Sequence, residues 1–213
     1  MTPFDLLIVV IYLISLVYIG NRAINNMEDW ATVQLDQSAL KDQLTINGQA
    51  KAIALSIPLQ GQYQFGKIND LALNLTNHSP IPIYVDWDRS TLTDFKGRSR
   101  RVIRINPNMI MDLSRSQVSS VIAPGKSLME KIVAEDMLKR TAEGTLQVGS
   151  PIVDLSAARG LSSDGKLEFS LRLLIRLVDS GSATDSDATT QALLCRFIVR
   201  RVPWDQGMPW KRK

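Results

Sequence analysis

Between Asp5 and Arg22 the chain carries 16 consecutive uncharged residues, and Leu6–Gly20 reads LLIVVIYLISLVYIG with Ser15 its one small polar member. A helix apolar on every side has no stripe to turn toward water, so it belongs in a core or in lipid. The run spans about 24 Å at about 1.5 Å per residue. That is a little under the roughly 30 Å hydrocarbon core of a bilayer. Phe4 with Thr2–Pro3 at one interface and Tyr18 at the other would complete a crossing. A cleaved signal peptide calls for a basic leader and small residues before the cut. Here no Lys or Arg precedes the run, Ile19–Ala23 lacks an A-x-A pattern, and the one cysteine, Cys195, is too distant for a lipobox. The reading is an uncleaved single-pass anchor over 1–21, in contact with the bilayer through residues 4–20. Arg22 follows the run and nothing basic precedes it, which favours the large domain on the cytoplasmic face over a periplasmic one. An unpaired Cys195 suits a reducing compartment.

Residues 22–29 are polar and read as a juxtamembrane linker. From Trp30 the pattern changes to period 2, the signature of half-buried strands. Ile53, Leu55, Ile57 and Leu59 alternate with small or polar residues, as do Leu71, Leu73 and Leu75. So do Ile81, Ile83, Val85 and Trp87. The clearest case is 167–177, where Leu167, Phe169, Leu171, Leu173, Ile175 and Leu177 share one face and Glu168, Ser170, Arg172, Leu174 and Arg176 the other. Cys195, Phe197 and Val199 give a last strand. Asn77–Pro80, Lys96-Gly97, Ala123–Lys126 and Asp164-Gly165 read as turns. Asp179–Thr190 reads as a long hairpin loop. Short helices are expected at Ser38–Leu44 and near Glu135–Arg140. Strands of this length between turn residues predict a mainly β domain over 30–203, an antiparallel immunoglobulin-like β-sandwich. A basic, Trp-containing tail, 204–213, follows.

Three stretches carry a resemblance. They are Asn74–Ser90 (NLTNHSPIPIYVDWDRS), Gly97–Ile103 (GRSRRVI) and Ser120–Ser127 (SVIAPGKS). A strand ends on Asn, a Pro-rich entry leads to a strand closing on Asp-Trp, and a Gly-Arg-Ser link and a Pro-Gly turn follow. In this the chain resembles membrane-tethered bacterial immunoglobulin-like sandwiches, similar in layout to the water-stress and late-embryogenesis-abundant β-sandwich group. The resemblance covers about fifty residues and implies a fold and a non-enzymatic module. Relatives are often lipoproteins, and the absence of a lipid-acceptor cysteine is a departure.

Few residues suggest chemistry. One cysteine and one histidine exclude a disulfide framework and a multi-thiolate or multi-histidine metal site. Phosphate-loop, dinucleotide, H-E-x-x-H and G-x-S-x-G motifs are missing from the sequence. His78 reads as a solvated turn residue and Cys195 as a buried, inert thiol. Asp86, Asp88 and Asp94 around Trp87 read as a polar face or as partners of nearby arginines, since two or three carboxylates are few for calcium. Asn74 and Asn77 sit in glycosylation-type triplets that read as chance matches. The expectation is therefore no enzyme, no cofactor and no metal.

The basic stretches are the functional lead. Lys96, Arg98, Arg100, Arg101 and Arg104 place five cations within nine residues, with no acid among them. Arg200, Arg201, Lys211, Arg212 and Lys213 lie at the end of the chain, with Trp204 and Trp210 interleaved. Of the 25 Lys and Arg only Arg22 precedes Trp30, and of the 21 Asp and Glu only Asp5, Glu28 and Asp29 do, which leaves the rest of the chain at +6. Arg98, Arg100, Arg101, Arg200, Arg201, Lys211, Arg212 and Lys213 are the candidate contacts, to anionic headgroups or to a membrane-associated protein partner. A solubilising surface is the plainer explanation of the same charges. Nucleic acid is not expected, because the +4 total is modest and no recognition motif accompanies it. Adjacent Arg100 and Arg101 cannot both point inward on a strand, and as exposed charges they are expected to contribute little to stability. The reading is a membrane-anchored binding, scaffold or assembly module. The alternatives are an accessory subunit of a membrane enzyme or transporter, or a sandwich that binds a small ligand or lipid. If the anchor is real, full-length protein stays in membranes through carbonate and high-salt washing; its release by carbonate overturns the assignment.

Overall fold

A computed structural model describes residues 3–27, 30–48, 50–105, 112–162, 164–178 and 189–202, with the backbone alone for 23–27 and 64. The apolar run forms a helix, α1 (Pro3–Met27), whose described side chains are exposed, apart from a partly covered Gly20. Pro3–Arg22 is long and apolar enough to cross a membrane by length and composition, as some signal sequences also are, and none of that window is buried. The Ser15 hydroxyl donates to the Ile11 carbonyl at 2.8 Å, which satisfies the run's one serine inside the helix. Neither Pro nor Gly interrupts residues 22–27, and the helix continues through them to Met27.

The rest is built from antiparallel strands. In chain order these are β1 (Trp30–Leu35), then after helix α2 (Gln37–Ile46) β2 (Ile53–Ser56), β3 (Tyr63–Gln64), β4 (Lys67–Ile68) and β5 (Leu71–Asn77). They continue with β6 (Ile83–Thr93), β7 (Ser99–Ile105), β8 (Ser120–Ile122), β9 (Ser127–Ala134), β10 (Leu138–Arg140) and β11 (Leu146–Val148). The last are β12 (Val153–Asp154), β13 (Lys166–Leu177) and β14 (Thr189–Arg201). One ladder runs β2-β5-β9-β7-β6-β13-β14-β1-β3, with β8 beside the start of β6. It folds over on itself at β7. Ser99–Arg101 pair with Thr91–Thr93 of β6, and Val102–Ile105 pair with Lys131–Ala134 of β9. One strand thus belongs to both layers of the sandwich and closes that side. The opposite side, between β2 and β1, stays open.

The alternation read from sequence is the alternation of burial. Trp87, Leu171, Leu173, Ile175 and Phe197 are fully buried, with Ile83, Val85, Leu73 and Leu75 beside them. Phe169 stacks on Phe197 with centroids 4.5 Å apart, and Phe95 meets Phe169 edge-on at 5.9 Å. Leu174, which strict alternation puts on the outward face, is buried as well. Opposite it β6 bulges. Asp86 pairs with Leu174 and Thr91 with Arg172, so four residues of β6 face one of β13. The Ser90 hydroxyl fills the gap, accepting from the Leu174 N–H at 3.0 Å.

Local chemistry explains the other elements. Asp36 caps α2 by accepting from the Ala39 N–H at 3.0 Å, and Leu40 and Leu44, one turn apart, turn into the core. This is the helix expected at Ser38–Leu44. The helix expected near Glu135–Arg140 does not form: Glu135–Met137 make one 3-10 turn and Leu138–Arg140 become β10. Gly97 and Gly125 take φ of 78° and 70° in the turns assigned to them, a region glycine enters without strain. The ends of β13 and β14 bracket the expected hairpin loop, of which 179–188 lie outside the described residues. Leu173→Ala removes a side chain with no exposed surface, so it should destabilise by about 2–5 kcal/mol. Urea unfolding measures this, and a change under about 0.5 kcal/mol would mean the facing of β13 is wrong.

Candidate functional site

The two basic stretches separate in the fold. Arg98 is exposed in the β6–β7 turn, with Nε 3.3 Å from Asp94 and Nη2 3.3 Å from Asp136. Arg100 is 8% exposed; it reaches Asp136 at 3.5 Å and donates to the Ile152 carbonyl at 3.3 Å. Arg101 binds Glu135 at 2.9 Å and Asp88 at 3.5 Å, and donates to the Leu113 carbonyl. Arg104 donates to Ser120 Oγ at 3.0 Å, lies 3.4 Å from Glu130, and stacks 5.5 Å above the Trp87 ring. Arg98, Arg100 and Arg101 therefore meet the set Asp88, Asp94, Glu135 and Asp136. Arg200 is exposed on β14 opposite Lys166 and Thr32, and Arg201 is half-buried opposite Ala31. Lys211, Arg212 and Lys213 lie outside the described residues, as does the whole tail 204–213.

The remaining candidates are occupied or inert. Asp86 accepts from the Arg89 N–H at 3.2 Å, and Asp88 accepts from the Gln117 N–H at 2.9 Å. Asp94 accepts from the Lys96 and Arg98 N–H groups at 2.9 and 3.0 Å. Burial opposes the charge of Asp94, but these N–H donors outweigh it and hold the carboxyl below its usual range. His78 is exposed in its turn. Burial pushes the Cys195 thiol up to about 12, which leaves it unreactive. Asn77 is fully buried, with its amide donating to Ile81 and Ile122 carbonyls at 2.8 and 2.9 Å, so it is closed to glycosylation in the folded chain. Among the described residues no group of three or more His, Cys, Asp or Glu is placed to hold a metal ion.

The open seam is the feature that sequence reasoning missed. Val33, Leu35, Leu40 and Leu44 on β1 and α2 face Ile53, Leu55, Ile57 and Leu59 across a groove of about 680 Å³. Each half was legible as an amphipathic element; that the two line one groove depends on pairings at least 18 residues apart. Strand β2 pairs with β5 on one side only among the described residues. The His78 N–H donates to the Ala52 carbonyl at 2.7 Å, which fixes the phase of that ladder. Ala54 and Ser56 exchange backbone bonds with Thr76 and Asn74, while the N–H and C=O of Ile53 and Leu55 point to the open side. The opposite wall has a related device. Where β1 leaves β14, the Gln43 side chain takes its place, accepting from the Leu194 N–H at 3.0 Å and donating to the Leu194 carbonyl at 3.2 Å.

Comparison with family models found no match, and comparison with curated proteins found none. Among solved structures the chain is similar to the ASH / PapD-like domain of human CEP192 (PapD-like domain 7). Identity is 8%, over 68% of this chain and 82% of that one, with a TM-score of 0.29. The sandwich assignment rests on the strand pairing.

Burial divides neighbouring arginines that the sequence groups together. Arg100→Gln should cost roughly 1–3 kcal/mol, because the Asp136 carboxylate and the Ile152 carbonyl lose a charged donor and the cleft loses packing. Arg98→Gln should cost under about 1 kcal/mol, as an exposed pair does. Parallel urea titrations check both, and equal values would contradict the described burial.

Proposed function

We propose that the chain is a non-enzymatic, single-pass membrane-anchored binding or scaffold module, which receives an extended segment of a membrane-associated protein along the open edge of β2. One observation carries the reading: the outward backbone groups of Ile53 and Leu55 border an apolar groove. An added strand would gain main-chain hydrogen bonds from the edge, and alternate side chains would enter the groove. A soluble sandwich normally blunts such an edge with charge, proline or a bulge. Here Pro58 follows the strand and Lys51 precedes it, and the edge between them carries neither. Anchoring through α1 would hold the domain among membrane partners and raise their effective concentration. The cytoplasmic face is preferred because Arg22 follows the helix and no cation precedes it. The likeness in layout to the water-stress group belongs to this reading and is supported by the residues quoted for it. The groove also favours a second reading, a small apolar ligand or lipid, since its volume falls within the roughly 300–1,000 Å³ usual for small-molecule sites.

The test is purification of the full chain in mild detergent, comparing Leu55→Pro with Leu55→Ala. Proline removes an N–H that faces away from β5, so the ladder to β5 is kept. The expected outcome is a protein partner that copurifies with the wild type and is lost from Leu55→Pro more completely than from Leu55→Ala, with thermal midpoints alike. Undiminished recovery of every partner by Leu55→Pro would end the edge-pairing reading. Bound lipid in place of protein would favour the second reading.

A further inference from the structure

We infer that the end of the sandwich at Trp30 lies against an anionic lipid surface, with Lys67, Lys96, Arg98, Arg159, Lys166 and Arg200 as its contacts; this rests on the anchored reading above. The tether sets which end can do so. Helix α1 runs to Met27 and β1 starts at Trp30, so two residues join them. Three peptide steps reach at most about 10 Å.

The strand register then gathers the cations at that end. Thr32 pairs with Arg200, and Arg200 with Lys166, one row from the Ala31–Arg201 pair. Trp30 pairs with Gln64, three residues before Lys67. Arg159 places its guanidinium 5.5 Å from the Phe65 ring. The β6–β7 turn with Lys96 and Arg98 emerges beyond the Thr93–Ser170 pair, and its Phe95 touches Phe169. All six cations are exposed. Both basic stretches of the sequence therefore contribute, but with different members than their order suggests. Arg100 is buried and Arg101 half-buried against Glu135, while Lys67, Arg159 and Lys166 come from segments without a basic run.

The carboxylates at this end include Asp70, Asp94, Glu135, Asp136, Asp154, Asp164 and Glu168, with Glu28 and Asp29 in the link. Asp70 lies 3.8 Å from Lys131 and Glu135 2.9 Å from Arg101. Several are held back. Asp94 accepts from two backbone N–H groups, Asp154 from the Ser156 N–H at 3.0 Å, and Asp136 lies between Arg98 and Arg100. Glu168 sits 2.7 Å from Lys166. Long Lys and Arg side chains extend past short, backbone-bound aspartates, so a flat anionic surface meets the cations first. A tethered domain needs only weak headgroup contacts of this kind to fix its orientation.

The experiment uses the full chain in nanodiscs of phosphatidylcholine alone or mixed with phosphatidylserine, and reads the acetylation rate of each lysine. Lys51 and Lys126, at the opposite end of β5, serve as internal references. The expected result is several-fold slower labelling of Lys67, Lys96 and Lys166 in the anionic discs alone, with Lys51 and Lys126 unchanged. The difference should vanish near 1 M salt, where the Debye length falls to about 3 Å. It should also shrink in the double variant Arg98→Gln, Arg200→Gln. Equal rates in both discs, or protection in both, would overturn the anionic contact. A chain that does not enter the discs at all would instead defeat the anchored reading.

Discussion

Strand β7 decides the shape of this molecule. An antiparallel sheet that keeps one partner per edge stays in one layer; β7 instead changes partner midway. Its first half completes the β6 layer and its second half opens the β9 layer. The change falls between Arg101 and Val102. On one side of it Arg100 and Arg101 turn to Asp136, Glu135 and Asp88; on the other, Val102 and Ile103 are fully buried between the layers. A corner places charged groups where two layers diverge, and the buried Arg100 must have acceptors there. The arginine-rich stretch is thus tied first to architecture.

Closing one side at a corner leaves the other side to be finished by different means. Strands β1 and β2 do not pair, and α2 lines the groove between them. Polar side chains do the finishing elsewhere: Gln43 continues the ladder where β1 departs, Ser90 completes it across the bulge, and Asn77 ties the β5–β6 turn to Ile122. Each supplies a hydrogen bond that the backbone alone would leave unmade. Along β2 no such side chain covers the outward backbone groups of Ile53 and Leu55 among the described residues. The contrast is what makes that edge a reasonable place for a second chain.

The fold class was legible because period-2 burial is a local signal. Six alternating residues from Leu167 to Leu177 assign β13, and the structure buries that face from Phe169 on. The bulge in β6 was not legible. It depends on Ser90 meeting Leu174, residues 84 apart, and alternation through Trp87 gives no sign of it. The misassigned helix at Glu135–Arg140 has a similar cause: Glu135 and Asp136 favour a helical start, but pairing of Leu138–Arg140 with Leu146–Val148 prevails. At the candidate site the limit was sharper. Sequence spacing showed that Arg100 and Arg101 cannot both point inward, and the structure buries Arg100 while leaving Arg101 half-buried; the spacing did not show that both meet carboxylates. Asp88 lies 13 residues from Arg101, but the other acids that meet them, Glu135 and Asp136, come from a segment 34 to 36 residues away.

The short link between α1 and β1 connects these features. On the anchored reading, a domain on a long linker samples every orientation, and its surface charges average out; a two-residue link keeps the Trp30 end within about 10 Å of the helix end. The groove runs from Gly61 and Gln60, next to the β3–β1 pair, to Leu44 and Ala50 at the far end of α2. One mouth therefore lies near the tether and the other points away from it. A segment leaving the bilayer on another protein would enter at the near mouth already extended, and would run antiparallel to β2, which approaches that mouth from the far end. The orientation that brings Lys166 and Arg200 to the lipid is the same one that presents this mouth. Headgroup contact and partner capture would then be coupled through rigid geometry, without any conformational change in the sandwich.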